Sequence, residues 1–160
     1  MGVGARGTRP AASATALVTA ETHSHVLDSF ALLALFQGES GGLKVRELLE
    51  RAERGEIVLT MTTVNLGEVV YRTEREYGLE RAQEVLGKIV EYNLSLRDVD
   101  RDLALTAAHL KARHKMSYAD CLVVALAQQL DATVVTGDPD FKQVERLITV
   151  EWLPVDEQPQ

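Results

Sequence analysis

Four acidic residues lie where predicted strands give way to helices, and their side chains suit metal-assisted chemistry. They are spread along the chain, at Asp28, Glu68, Asp120 and Asp138. Carboxylate oxygens are hard ligands that favour Mg²⁺ or Mn²⁺ over zinc. One or two such ions can activate a water and stabilise a leaving oxygen in phosphodiester hydrolysis. The four acids are therefore a candidate site for one or two Mg²⁺ or Mn²⁺ ions.

The same acids are also placed to cap helices. Asp138 directly precedes a proline, a favoured first residue of a helix. Asp120 follows Ser117, and Glu68 follows Asn65, at the spacing of a capping box. Acidic side chains are stabilised at the positive end of a helix dipole, so capping explains any one of them alone. Capping does not explain why the helices begin at one edge of a sheet.

Strand-like and helix-like segments alternate along the chain. The β-branched and apolar runs predict strands at 24–28, 56–62, 93–99, 132–137 and 147–153. The amphipathic or apolar segments between them predict helices at 29–37, 43–55, 65–78, 79–92, 100–114, 117–130 and 138–145. Parallel strands need crossovers, so this alternation predicts a three-layer α/β/α domain with a five-stranded parallel sheet. We expect the strand order 3-2-1-4-5 in this sheet.

This strand order brings the acids together. The first and fourth strands are neighbours at the point where the winding reverses, which is where ligands bind in open α/β sheets. Asp28 and Asp138 should face each other there, and the helix that carries Asp120 should begin at the same edge. Carboxylates this close raise one another's pKa, and a divalent cation relieves the repulsion.

Composition limits the class of protein. The 160 residues are 46% apolar and 26% charged, as in a soluble single domain, and the longest compact apolar run spans only 30–36. A net charge of −7 argues against a broadly basic surface that coats nucleic acid. The single cysteine, Cys121, excludes an internal disulfide and is interpreted as a small core residue. We predict a cytoplasmic protein without a membrane span.

The chain divides into one domain and two tails. The small, polar residues 1–22 lack the continuous apolar stretch of a secretory signal and are predicted to be a disordered tail. The domain is predicted at 23–154 and a C-terminal tail at 155–160. At the first boundary His23 and His25 are interpreted as solvated residues rather than metal ligands. Trp152 is expected to pack in the last strand.

Four motifs carry a resemblance to a known family. They are "VLDSFALLALF", "TTVNLGEVVY", "SYADCLVVALA" and "VVTGDPDFK", in this order. Together they resemble the PIN domain, and most closely the VapC toxins of toxin-antitoxin pairs. The likeness covers about 25–153 and implies a PIN-like fold. The N-terminal segment before Asp28 is longer than is usual in that family.

The resemblance implies an activity, a site and partners. The activity is that of a metal-dependent endoribonuclease, with Asp28, Glu68, Asp120 and Asp138 matching the family's acidic quartet. Thr136 matches the hydroxyl residue that arranges carboxylates and water, and Asp140 matches a frequent additional acid. The implied partners are an RNA substrate, a second copy of the chain and a small antitoxin. An Arg or Lys of this antitoxin would enter the pocket beside Asp28 and Asp120.

Basic residues near the acids are candidates for RNA contact. They are Arg72 and Arg75, which follow Glu68 on its helix, and Lys111, Arg113 and Lys115, which precede Asp120. Lysine and arginine are also favoured near helix C-termini, so a solvated helix end explains each of them too. His114 lies close to the same acids, but only its proximity favours a role as general acid.

Other functions remain open from the sequence alone. An aspartate-dependent magnesium phosphatase or receiver-like domain would also place aspartates at strand ends, although the Asp-x-Asp of such phosphatases is absent around Asp28. A PIN-domain nuclease for RNA processing outside a toxin-antitoxin pair is a second alternative. A non-catalytic binding module is a third. The choice between RNA and DNA depends on contacts to the 2′-hydroxyl, which one sequence does not reveal.

Overall fold

A computed structural model of the chain describes residues 22–159, which form five strands, six α-helices and one 3₁₀ helix. The tail predicted over 1–22 lies outside these residues, apart from Thr22. Within residues 22–159 no helix is long and apolar enough to cross a membrane.

The elements alternate as the sequence predicts. The strands are β1 (His23–Leu27), β2 (Ile57–Thr62), β3 (Leu94–Arg97), β4 (Thr133–Thr136) and β5 (Val150–Trp152). The α-helices are α1 (Ser29–Phe36), α2 (Gly42–Glu53), α3 (Thr63–Tyr77), α4 (Leu79–Ile89), α5 (Arg101–Arg113) and α6 (Tyr118–Leu130), and the 3₁₀ helix spans Pro139–Val144.

The predicted sheet is confirmed in both order and direction. The five strands are parallel and lie in the order β3-β2-β1-β4-β5. β1 is central, and its Val26 pairs with Thr60 of β2 on one side and Val134 of β4 on the other. Helices leave the carboxyl ends of β1, β2 and β4, so their first turns lie along one edge of the sheet.

Two apolar clusters cover the faces of the sheet. Successive strand residues point to opposite faces. Val26 and Val134 therefore pack with α5, α6 and Phe141, whereas Leu27 and Val135 pack with α1 to α4. The middle of α6 is buried all round, as its continuous apolar run predicts. The result is the three-layer α/β/α architecture.

Most predicted boundaries differ from the observed ones by one to three residues, and two of the differences affect the site and the sheet edge. α3 begins at Thr63, and its N-cap is Thr62, whose side chain accepts a hydrogen bond from the backbone of Asn65 at 3.0 Å. Glu68 therefore lies in the second turn of α3 and not in a capping box with Asn65. At the other end of the sheet, β5 has three residues because 145–147 form a turn after the 3₁₀ helix.

The burial of His25 and of Trp152 also differs from expectation. His25 is buried rather than solvated, because its side chain lies on the sheet face that α2 covers. Its Nε2 is 3.5 Å from a carboxylate oxygen of Glu151 in β5. Burial lowers its pKa, and its Nδ1 has no hydrogen-bond partner among residues 22–159. Trp152 is only partly packed, since β5 is an edge strand, and its indole donates to Glu145 at 2.8 Å.

Candidate metal centre

Three aspartates converge at the carboxyl edge of the sheet. Oxygens of Asp28, Asp120 and Asp138 all lie within 4.8 Å of one another. Asp28 is the N-cap of α1, Asp138 is the N-cap of the 3₁₀ helix, and Asp120 lies in the first turn of α6. The convergence follows from the topology, since β1 and β4 are neighbours and α6 begins at the same edge.

Thr136, the last residue of β4, links two of these acids. Its buried hydroxyl donates to Asp28 Oδ2 at 2.8 Å and accepts from the backbone N–H of Asp138 at 3.0 Å. One hydroxyl therefore fixes the rotamer of Asp28 and the start of the 3₁₀ helix. The next residue, Gly137, is tightly enclosed, and a Cβ there would overlap the ring of Phe30.

Glu68 lies beside the aspartates but outside their cluster. Ser29 Oγ donates a hydrogen bond to Glu68 Oε1 and lies 3.4 Å from Asp28 Oδ1. Arg72 Nη1 approaches the same Glu68 oxygen at 3.7 Å from the solvent side. Ser29 thus connects Glu68 to Asp28. Direct metal ligation by Glu68 stays a prediction.

Burial makes the cluster electrostatically unfavourable when it is fully ionised. Desolvation raises the pKa of Asp28 to about 6, with Glu68 and Asp138 adding repulsion and the hydrogen bond from Thr136 acting against it. Desolvation also raises the pKa of Asp120 to about 7, with further repulsion from Asp28 and Asp138. Only 2% of Asp28 and 6% of Asp120 is exposed, so water screens this repulsion poorly.

The aspartate cluster is suited to a hard divalent cation. It offers carboxylate oxygens alone, the ligand type that Mg²⁺ and Mn²⁺ prefer. A cation among the three carboxylates would also remove the repulsion that raises the pKa of Asp28 and Asp120. The three aspartates can therefore hold an ion.

Two further residues predicted near the acids have local roles. Asp140 is exposed, and its backbone N–H donates to Asp138 Oδ1 at 2.9 Å, which is the hydrogen bond by which Asp138 caps the 3₁₀ helix. Asn65 is buried and its side chain is hydrogen-bonded to Thr62, while its Nδ2 has no partner among residues 22–159. Metal binding by Asp140 stays a prediction.

The five predicted RNA contacts fall into two groups. Arg72 is paired with Glu68, and the guanidinium of Arg75 lies 5.3 Å from the centre of the Tyr71 ring. Lys111 Nζ donates to the carbonyl of Met116 at 2.6 Å, which closes the turn between α5 and α6. The exposed residues Arg113 and Lys115 lie on the same turn, where a hydrogen bond joins the Lys115 N–H to Gln143 of the 3₁₀ helix.

Sequence reasoning did not identify two contacts near the acids, which are the pair formed by Gln143 and Lys115 and the capping of α3 by Thr62. The exchange between Gln143 and Lys115 ties the segment after Asp138 to the segment before Asp120, through two hydrogen bonds of 3.2 Å. Thr62 caps α3. A threonine at the end of a β-branched run is a possible N-cap, but the Gln143 contact has no local signal in the sequence.

Solved structures share this fold. VapBC2 from Rickettsia felis, bound to a DNA fragment from its promoter, matches with a TM-score of 0.65 and 18% identity, over 82% of this chain and 99% of that chain. VapC20 from Mycobacterium tuberculosis, a sarcin-ricin loop cleaving toxin, matches with a TM-score of 0.63 and 18% identity, over 75% and 94%. DNA-bound VapBC from Salmonella typhimurium gives 0.61 and 19%, over 81% and 98%.

Sequence comparison gives the family. No curated protein matches the chain as a whole with significance. A family-wide sequence profile described as the PIN domain matches residues 25–147, a span that contains the three converging aspartates, Glu68 and Thr136. This span is well over half of the chain, so the protein belongs to the PIN domain family.

Proposed function

We propose that this protein is a Mg²⁺- or Mn²⁺-dependent endoribonuclease and the toxin of a VapBC-type toxin-antitoxin pair. The observation that carries the proposal is the cluster of three aspartate carboxylates, two buried and one half-buried, within 4.8 Å of one another at the edge of the sheet where ligands bind. PIN family membership and the fold shared with VapC20, a toxin that cleaves the sarcin-ricin loop, support RNA as the substrate.

Each residue of the site has a distinct part in this activity. Asp28, Asp120 and Asp138 would hold the cation, and Thr136 keeps the Asp28 carboxylate oriented through its 2.8 Å hydrogen bond. Glu68, fixed by Ser29, presents a further carboxylate beside Asp28 that can orient a water or accept its proton. A bound divalent cation supplies Lewis acidity that polarises the phosphodiester and makes water a better nucleophile.

The activity should depend on added metal. The purified full chain is expected to cleave single-stranded or loop RNA in millimolar Mn²⁺ or Mg²⁺ and to lose that cleavage in excess EDTA. Activity should return when Mn²⁺ is added back beyond the chelator. The measurement is the rate of cleavage of an end-labelled RNA on a denaturing gel, with a single-stranded DNA of the same sequence alongside.

A matched preparation separates this activity from a contaminant. Asp138→Asn protein purified in the same way should show no cleavage under any of these conditions, because it lacks one of the three clustered carboxylates. Cleavage that survives EDTA in the wild-type protein would contradict the metal site. Equal cleavage by the two proteins would assign the activity to another nuclease.

The proposed antitoxin has two contacts on this chain. A basic side chain can enter the acidic pocket beside Asp28 and Asp120, where it would offset the repulsion that raises the pKa of both acids. The structural neighbours include VapBC complexes from Rickettsia felis and Salmonella typhimurium, which supports a partner of this kind. A homodimer remains part of the proposal.

A groove on the α1–α4 face suits the apolar part of such a partner. It has a volume of about 470 Å³, and its apolar lining comes from Leu35, Phe36, Leu49 and Tyr92. We expect a partner helix to lie along residues 43–49 of α2 and 69–77 of α3. Leu49 of the first segment lines this groove, together with residues of α1 and α4. Apolar anchors of a partner helix gain free energy by desolvation in a groove of this type.

Co-expression tests the toxin part of the proposal. Induction of this chain alone in a bacterial host is expected to slow growth, and co-expression of the small gene next to it should restore growth and yield a co-purifying complex. The Asp138→Asn variant should leave growth unchanged while still binding the partner through the groove. Normal growth with wild-type protein, together with no co-purifying partner, would favour a PIN nuclease for RNA processing instead.

A further inference from the structure

A second groove lies on the opposite face of the domain, between α5 and the segment that follows the 3₁₀ helix. Its volume is about 490 Å³. Four basic side chains line it: His109, Arg113, His114 and Arg146. Within the described part of the chain no acidic residue lines this groove, although the protein as a whole carries a net charge of −7. The groove is therefore a local basic surface on an acidic protein.

The two arginines of this groove are available to an external anion. Arg51, Arg54, Arg72 and Arg81 each form an ion pair with a glutamate. In contrast, no ion pair among residues 22–159 includes Arg113 or Arg146. A guanidinium presents a fork of donors that matches two phosphate oxygens, so two unpaired arginines in one groove favour a phosphate ligand.

One end of the groove lies on segments that lead to the acidic site, although none of the three aspartates lines it. Gln143 lines it and belongs to the 3₁₀ helix that begins directly after Asp138. Gln143 also exchanges two hydrogen bonds with Lys115, in the turn that leads to Asp120. From this end the groove follows α5 back from Arg113 to Thr106, a length of about 11 Å at the rise of an α-helix. This length accommodates more than one phosphate of a strand.

We propose that this groove, lined by His109, Arg113, His114 and Arg146, binds the single-stranded segment of the RNA next to the cleavage site; the inference rests on the proposed nuclease function. Arg113 and Arg146 contact successive phosphates. The imidazole rings and the exposed apolar surface of Leu147 provide faces on which bases pack. Lys111 does not line this groove, and its ammonium group donates to the Met116 carbonyl.

Charge reversal in a cleavage-deficient background tests this groove. Arg113→Glu and Arg146→Glu, each combined with Asp28→Asn, should weaken binding of a short fluorescein-labelled single-stranded RNA by about tenfold at low salt. Each substitution should also reduce the slope of log K against log salt by about 0.7, the loss of one phosphate contact. Fluorescence anisotropy over a salt series measures both quantities, and circular dichroism checks the fold.

Arg101→Glu in the same background is the matched control. Arg101 is the exposed first residue of α5, on the same helix as Arg113 but outside the groove, and its substitution changes net charge equally. It should leave the RNA affinity within about twofold of the parent. An equal loss in all three variants would overturn the proposal, because the effect would then come from net charge. Unchanged RNA affinity with an altered oligomeric state would also overturn it, and would make this face an interface between copies.

A small substrate separates failure of the groove from failure of the nuclease. Bis(p-nitrophenyl) phosphate is a phosphodiester too short to need the groove, and wild-type protein with Mn²⁺ is expected to hydrolyse it. If neither it nor RNA is hydrolysed while RNA binding still depends on Arg113 and Arg146, the proposed nuclease function fails and the groove assignment stands. If it is hydrolysed but neither arginine affects RNA binding, the groove assignment fails alone.

Discussion

Replacing Asp120 by asparagine is expected to abolish RNA cleavage while the protein stays folded. Asp120 supplies one of the three clustered carboxylates, and its loss should reduce the cleavage rate by roughly 10²- to 10³-fold or more, as for other preorganised electrostatic groups. The helix should remain, because its N-cap is Ser117, whose hydroxyl accepts from the Asp120 backbone and not from its carboxylate.

The same substitution should stabilise the metal-free protein. Burial and two neighbouring aspartates raise the pKa of Asp120 to about 7, so at higher pH the ionised carboxylate costs folding free energy. Asparagine has nearly the same shape and no charge. A variant that is inactive and also more stable than the parent is difficult to explain by damage to the fold. The measurements are RNA cleavage, Mn²⁺ affinity by titration calorimetry, and the thermal midpoint without metal.

Asp100→Asn provides the matched control for Asp120→Asn. Asp100 is the N-cap of α5, accepts from the Leu103 backbone at 2.8 Å, and lies outside the aspartate cluster. Asparagine caps a helix nearly as well as aspartate, so this variant should keep cleavage and Mn²⁺ affinity. Wild-type cleavage by Asp120→Asn would contradict the metal centre and return Asp120 to a structural role at the start of α6.

The sequence was sufficient to predict how the aspartates converge. β-branched runs separated by amphipathic segments predict a parallel sheet, and the expected order 3-2-1-4-5, one of the common doubly wound arrangements, is confirmed. Once β1 and β4 are neighbours, residues that directly follow them must meet. Asp28 and Asp138 do so, and Asp120 joins them through the first turn of α6.

Details that depend on side-chain packing could not be predicted in this way. The sequence predicts that Glu68 joins the three aspartates, because it follows a strand and matches the family's acidic quartet. Its contact to Ser29 and its place outside the three-carboxylate cluster depend on where α3 begins. The sequence predicts a start of α3 at residue 65, two residues after the observed start, because Thr62 fits both a strand and an N-cap. Likewise, nothing local to His25 indicates that α2 and Glu151 cover it.

The stability of the metal-free protein is expected to fall as pH rises from about 4 to about 7. The ordinary pKa of an aspartate is 3.8 here, whereas that of folded Asp28 is about 6 and that of folded Asp120 is about 7. Within this window the folded protein retains protons that the unfolded chain has released. Stability therefore decreases with increasing pH and levels off above the folded pKa values. At about 1.4 kcal/mol per pKa unit, the larger of the two shifts alone corresponds to about 4 kcal/mol, or roughly 10 to 15 °C in Tm for a domain of this size.

Mn²⁺ should reverse this dependence, because a cation binds the ionised carboxylates and competes with protons for them. The rise in Tm on adding millimolar Mn²⁺ should accordingly be large at pH 8 and small at pH 5, measured by differential scanning fluorimetry in buffers that do not bind metal.

Asp120→Asn removes the carboxyl with the higher pKa, so this variant should show a flatter profile without metal and a smaller Mn²⁺ effect at pH 8. Asp100→Asn, outside the cluster, should reproduce the wild-type profile. If Asp120→Asn kept the wild-type slope and Mn²⁺ raised Tm equally at both pH values, the buried aspartates would not be the groups that link protons, metal and folding.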